Sequence, residues 1–184
     1  NQDAVRFFHQ AVWPKVRSQV PACRFRIVGS QAREYFGGML ALDPAVEVAS
    51  DVPDMRPYFD RAWVVVVPLR AGSGTRFKIL EAMAMAKPVV STNLGAEGIP
   101  AADGEQIVLA DDPDAFARAV VLLLRDAQRR RALGLAARRL ACERYHWAGL
   151  CDRMAAAFHH QFAPGAQPAS LHSGPCAAET QRAD

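Results

Sequence analysis

The chain has 184 residues, 51% hydrophobic and 22% charged, which is the balance of an ordinary globular protein and excludes a disordered or collagen-like class. That length supports one core and a remainder, not two full domains. A formal charge of +3 in a mixed sequence is too weak to argue for nucleic acid.

From Asp3, the residues Val5, Phe8, Val12, Val16 and Val20 recur at three- and four-residue steps, predicting a helix capped by Asp3 and bent at Pro14. Arg24 to Gly29 alternates and ends in glycine, the pattern of a strand opening into a loop. Val46 to Val48 reads as a shorter strand, and Pro57 to Asp60 as a short helix. Trp63 to Pro68 is an unbroken β-branched run, which favours a parallel sheet covered on both faces. A loop from Leu69 to Thr75 leads into a helix from Arg76 to Ala86, and Pro88 to Ser91 forms the next strand.

Ile107 to Leu109 gives a last short strand, and Asp112-Pro113 starts a helix burying Phe116, Val120, Leu123 and Leu124. An arginine-rich helix follows from Ala127 to Arg144. The final helix, Trp147 to Phe162, carries Leu150, Met154 and Phe158 on one stripe. Strands alternating with helices predict a doubly wound α/β domain over residues 1–162, with a parallel sheet between two helix layers. Beyond Ala163 the Pro, Gly, Ser and Ala mixture lacks periodicity and predicts a disordered tail over 163–184. Ligands in such sheets sit past the carboxyl ends of the strands, so the loops after Val28, Val48, Val67 and Ser91 are the places to look.

Cys23, Cys142, Cys151 and Cys176 lie far apart without zinc spacing and read as reduced thiols of a cytoplasmic protein. Ala62 to Leu69 is too short to span a bilayer, and no leader-like segment opens the chain. The first residue is Asn1, not Met, which fits a piece of a longer protein.

The loop after Val67 carries the chemistry. Gly72 and Gly74 let backbone amides approach a ligand, and the helix beginning beside Thr75 presents unpaired amides and a positive dipole end, together suited to a diphosphate. Arg70, Arg76 and Lys78 add cations around the same turn. On the glycines alone a tight strand-to-helix turn is the commoner explanation. Glu81 changes the balance, because a lone carboxylate within Ile79 to Met85 is costly unless something pairs with it. A ribose diol would serve. An exposed helix stripe, or a tie to Arg76 or Lys78, is the structural alternative.

The stretch from Val65 to Thr92, followed by Gly95-Ala96-Glu97-Gly98, resembles the donor-binding, C-terminal half of GT-B glycosyltransferases of family 4. Val48 to Arg56 is similar to the segment that walls the nucleotide base in those enzymes, so Val48 and Val52 would border the base through backbone and apolar contact. The resemblance runs from about Asp3 to Phe162, with several spaced motifs in order. It implies retaining transfer of a sugar from a nucleoside-diphosphate sugar to a glycan or lipid-linked acceptor, as in polysaccharide synthesis. Of the family's two donor-contacting glutamates, Glu81 matches the second, which binds the ribose, and the first falls on Ser73. Gly72, Gly74 and Thr75 match the loop facing the donor phosphates and sugar. Arg76 and Lys78 would assist the departing diphosphate with no metal or cofactor. The first strand of this half and the acceptor domain would precede Asn1.

Other residues weigh less. Glu97 could reach a ligand from its loop, and a simple loop acid is as frequent. His9 reads as structural, and adjacent His159 and His160 point apart on a helix. Arg129, Arg130, Arg131, Arg138 and Arg139 suit a phospholipid surface at the inner membrane face, although a solvated helix face is the preferred explanation. Ser91 and Thr92 lack the His and Asp of a nucleophile arrangement. Two further functions fit the same residues: a noncatalytic nucleotide-sugar-binding subunit needing a partner chain, and a nucleotide-sugar epimerase of the same architecture. A dinucleotide-binding enzyme fits poorly, because Gly29-Ser30-Gln31-Ala32-Arg33 lacks the required glycine spacing.

Overall fold

The computed structural model describes residues 1–72, 74 and 76–162, with only the backbone at 40–42 and 160–162. The tail expected over 163–184 lies outside the described residues, as do Ser73 and Thr75.

The first helical segment is one continuous rod in three registers: α1 (Gln2–Phe7), a π-helical turn (Phe8–Val12) and α2 (Trp13–Gln19). Pro14, at the start of α2, has no N–H to donate and its ring crowds the preceding turn; the wider π turn accommodates it without breaking the rod. Phe8, Val12 and Val16 are buried as their spacing predicts, joined by Ala4, Phe7 and Trp13. Asp3 is not the cap: Asn1 holds that position with no side-chain capping bond, and Asp3 in the first turn pairs with Arg70 instead.

Next come β1 (Phe25–Gly29), α3 (Ala32–Leu42), β2 (Val46–Ser50), α4 (Arg56–Arg61), β3 (Val65–Val67) and α5 (Phe77–Ala84). They are followed by β4 (Val89–Ser91), β5 (Val108–Leu109), α6 (Pro113–Arg125), α7 (Ala127–Tyr145) and α8 (Trp147–Phe162). Every pairing is parallel, in two groups: β1 with β2, and β3, β4, β5 in that order. Parallel strands with helical crossovers give the α/β class that the alternation predicts.

Helix α3 is the element the periodicity does not announce, since Gly37 and Gly38 dilute its apolar face. The strand expected from Trp63 begins only at Val65; Trp63 is 62% exposed, with the Arg130 guanidinium 4.4 Å above its ring. Asp112 caps α6 as its sequence predicts, accepting from the amides of Asp114 and Ala115. On α8 the predicted stripe is only partly covered: Leu150 is half-buried, and Met154 and Phe158 are each about 60% exposed.

Two buried clusters carry the packing. One joins the first rod, β1, β2 and α6 through Phe8, Phe25, Val46 and Phe116; the other holds Val67, Ile79, Met83, Val89 and Ile107 beneath α5 and α7. Helix α5 ends in a hydrogen-bonded cap, Lys87 N–H to Ala82 carbonyl and Ala86 N–H to Met83 carbonyl, with Ala86 in the left-handed region at φ 55°. Gly134 of α7 lies on that cap. A methyl there would meet the Ala86 carbonyl, its carbon at 2.8 Å. Gly134→Ala is expected to cost about 1–3 kcal/mol, read as a melting temperature several degrees lower.

Asp43 ties the α3–β2 corner to the first rod. Its carboxylate accepts from Trp13 Nε1 at 2.7 Å, from the Ala45 amide at 2.9 Å and from Arg17. The Trp13 bond leads, with the Ala45 and Arg17 bonds adding to it, in pulling the carboxyl from its usual 3.8 to about 2. A depressed carboxyl stabilises the fold above its unfolded value and loses that contribution as pH falls through the folded one. The expected contribution, about 2 kcal/mol, therefore disappears between about pH 4 and pH 2, and denaturant melts of Asp43→Asn should show a flatter acid limb.

Candidate functional site

The carboxyl ends of β3 and β4 are stitched together by side-chain hydroxyls. Ser91 Oγ donates to the Val67 carbonyl at 3.1 Å, Thr92 Oγ1 donates to the Leu69 carbonyl, and Thr92 Oγ1 in turn accepts from the Gly95 amide at 2.9 Å. Both hydroxyl residues are buried. Their absence from any nucleophile arrangement thus has a structural explanation. A Cβ at Gly95 would strike Ser91 Oγ and lie 2.7 Å from the Val67 carbonyl and 2.9 Å from Thr92 Oγ1, so only glycine lets the loop after β4 turn here.

On the neighbouring loop, Gly72 and Gly74 adopt φ of 118° and 101°, a region that side chains rarely enter. Helix α5 then starts at Phe77 with Arg76 as its cap residue and no side-chain cap bond. Its first-turn amides keep the open, positive end that suits an anion.

The three cations around this turn are each engaged by the protein. Arg70 forms a two-pronged bond to Asp3, at 2.6 and 3.1 Å, and stacks 4.4 Å above the Phe7 ring. Lys78 Nζ donates to Asn1 Oδ1 at 2.6 Å; its half-burial, and then the nearby Arg76 charge, push its ammonium below the usual lysine range. Arg76 is only 6% exposed, and its Nη2 donates to the carbonyls of Leu94 at 3.0 Å and Gly72 at 3.5 Å, with Glu97 Oε2 at 3.4 Å. Among the described residues its Nε is buried with no partner.

Glu81 is exposed, with no hydrogen bond or ion pair among the described residues. The sequence argument that its carboxylate sits at a desolvated position does not hold. The helical period turns Ile79, Ala82 and Met83 to the core and leaves Phe77, Glu81 and Ala84 outside, so the apolar neighbours belong to other faces. The tie to Arg76 or Lys78 is also absent, since those cations bond elsewhere.

Val48 is a core residue, 7% exposed, and Val52 is half-buried on the turn beyond β2. The carboxyl ends of β1 and β2 are closed by Asp51, which accepts from Ser30 Oγ at 3.0 Å and the Gln31 amide at 3.2 Å. Two groups are missed or undervalued in the sequence. Phe77 is 65% exposed at the head of α5, and Glu97 is held by Arg76; contiguity in the chain signals neither. Among the described residues no group of three His, Cys, Asp or Glu side chains could hold a metal, and no helix is long and apolar enough to cross a membrane.

A family model described as "Glycosyl transferases group 1" matches residues 1–126. The chain belongs to that family. A curated relative, an uncharacterized 44.6 kDa protein in the cps region of Klebsiella pneumoniae, is 34% identical over 68 residues, covering 37% of this chain and 18% of the relative. Among solved structures, sucrose-phosphate synthase from Thermosynechococcus elongatus superposes with TM-score 0.68 at 24% identity, over 80% of this chain and 41% of that one. Anabaena Alr3699/HepE, solved with UDP and glucose, gives 0.65 at 18% identity, over 79% and 44%. A glycosyltransferase from Rickettsia africae gives 0.69 at 13%, over 85% and 45%. These likenesses place the group 1 chain in the α/β fold that those three structures share. The chain spans less than half the length of each protein it matches here.

Gly95→Ala is expected to destabilise the group 1 domain by about 2 kcal/mol, because the atoms that crowd its Cβ are backbone and buried hydroxyls. Gly38→Ala in α3, with nothing within 4 Å of its Cβ, should instead be neutral or stabilising by up to about 1 kcal/mol. Paired thermal melts measure both.

Proposed function

We propose that this chain is the donor-binding half of a family 4 glycosyltransferase, taking a nucleoside-diphosphate sugar and working with retention on a glycan or lipid-linked acceptor. The acceptor and the groups that face it belong to a second domain. What supports the reading is membership of the group 1 family together with one feature of the site: a Glu81 carboxylate, unpaired among the described residues, on the solvent side of the helix that follows the Gly72–Gly74 turn. The solved neighbour holding UDP and glucose, and the relative named for a cps region, fit a nucleotide-sugar donor and a polysaccharide product.

The chemistry follows from charge. The bond between the anomeric carbon and the diphosphate breaks, and negative charge grows on the departing diphosphate while the sugar ring becomes electron-poor. Amides at Gly72, Gly74 and the start of α5 meet that negative charge without reorganising, and Lys78 adds a partly desolvated cation two residues into the same segment. No metal is required in this scheme. Glu81 accepts both ribose hydroxyls, and Val52 with the backbone at Val48 lines the base. Arg76, being buried, acts on the loops and not on the phosphate itself. Peripheral contact with the inner membrane face accompanies a lipid-linked acceptor.

The amide signals of Gly72, Gly74 and Glu81 are expected to shift when the protein is titrated with UDP, UDP-glucose, GDP or GDP-mannose. Glu81→Gln should weaken that binding about tenfold or more while the fold persists. If no signal moves at millimolar concentration of any of the four, the donor site is not here.

A further inference from the structure

Glu97 belongs to a loop that is fixed at several points, while its own carboxylate stays open to solvent. The loop leaves β4 through two buried hydroxyl residues, and the Gly95 and Ala96 amides close back on Thr92 at 2.9 and 3.1 Å. Gly98, at φ 81°, ends the turn. Between them Glu97 is 68% exposed in its side chain, and among the described residues the one ion pair it makes is with Arg76.

Arg76 links that loop to its neighbour. A single nitrogen, Nη2, serves the Gly72 carbonyl beyond β3, the Leu94 carbonyl beyond β4 and the Glu97 carboxylate. The turn expected to face the diphosphate and the carboxylate of Glu97 are therefore tied to one nitrogen of a nearly buried guanidinium. Among the described residues Nε of Arg76 is buried without a partner, a standing penalty on stability. The guanidinium is arranged for where it points the groups around it.

A sugar ring is neutral and studded with hydroxyls, and a carboxylate accepts two of them at once in a charge-assisted pair. Such a contact discriminates between sugars only if the carboxylate is held from behind, as Arg76 holds Glu97. Glu81 lies on α5 and serves the other end of the donor.

We propose that Glu97 grips hydroxyls of the transferred sugar and selects among donor sugars, and that Arg76 is the positioning residue that aims it. This rests on the donor-site reading above and adds the sugar subsite to it.

The test is calorimetric titration of the whole chain with UDP-glucose, UDP-galactose and UDP-N-acetylglucosamine against UDP, and GDP-mannose against GDP, in wild type, Glu97→Gln, Glu97→Asp and Arg76→Lys. For the donor bound best by wild type, the ratio of donor affinity to parent-nucleotide affinity should fall about tenfold or more in both Glu97 variants, with the parent affinity changed less than about twofold. Glu97→Asp keeps the charge on an exposed loop, so its circular dichroism and melting should match wild type while the ratio drops. Arg76→Lys, which keeps the charge but loses the fork, should lower the same ratio. An unchanged ratio in Glu97→Gln, or an equal loss of donor and parent binding, overturns the inference and leaves the donor site standing. A wild-type ratio near one for every donor also overturns it. Wild-type protein that binds neither donors nor parents overturns both readings together.

Discussion

Everything at the candidate site depends on the fixed separation of two loops, those leaving β3 and β4. Three groups set it: the hydroxyls of Ser91 and Thr92, which reach across to the carbonyls of Val67 and Leu69, and the guanidinium of Arg76, which reaches back from the head of α5 to Leu94. Strand ends normally fray into mobile loops. Here the polar groups at the two strand ends are spent on one another in a buried layer, while Arg70 to Gly72, Gly74 and Glu97 stay exposed.

The same layer explains why the glycines are where they are. Gly95 gives the hydroxyl layer room, whereas Gly72 and Gly74 have open space around them and are needed for backbone direction alone. Identical residues thus do different work on the two loops: one set is a matter of packing, the other of conformation. Behind them, α5 is pressed against α7 at Gly134, which fixes the helix whose outer face carries Glu81.

Charge at the site is distributed unlike a simple cationic cluster. Arg70 stacks on Phe7 and bonds Asp3, Lys78 reaches Asn1, and Arg76 is enclosed. Each of these bonds joins the loop beyond β3, or the helix it leads into, to the first rod or to the loop beyond β4. These contacts therefore fix the turn and the start of α5. The open faces lie elsewhere: Phe77 at the head of α5, and the Met154–Phe158 side of α8.

Local pattern was enough for the α/β class, the strand cores, the Asp112 cap and the Gly72–Gly74 turn, because period, capping and glycine conformation are properties of neighbours in the chain. It also marked the segment from Arg70 to Glu81 as the place of interest. What it could not decide was which faces are covered. Glu81 looked enclosed from its neighbours and is exposed, because a helix sorts consecutive residues onto different sides. Arg76 was expected to meet a diphosphate and is buried, because Leu94 and Glu97, far along the chain, come to meet it through the parallel pairing of β3 with β4. Strand register brings those loops together, and register is set by the packing of the whole domain.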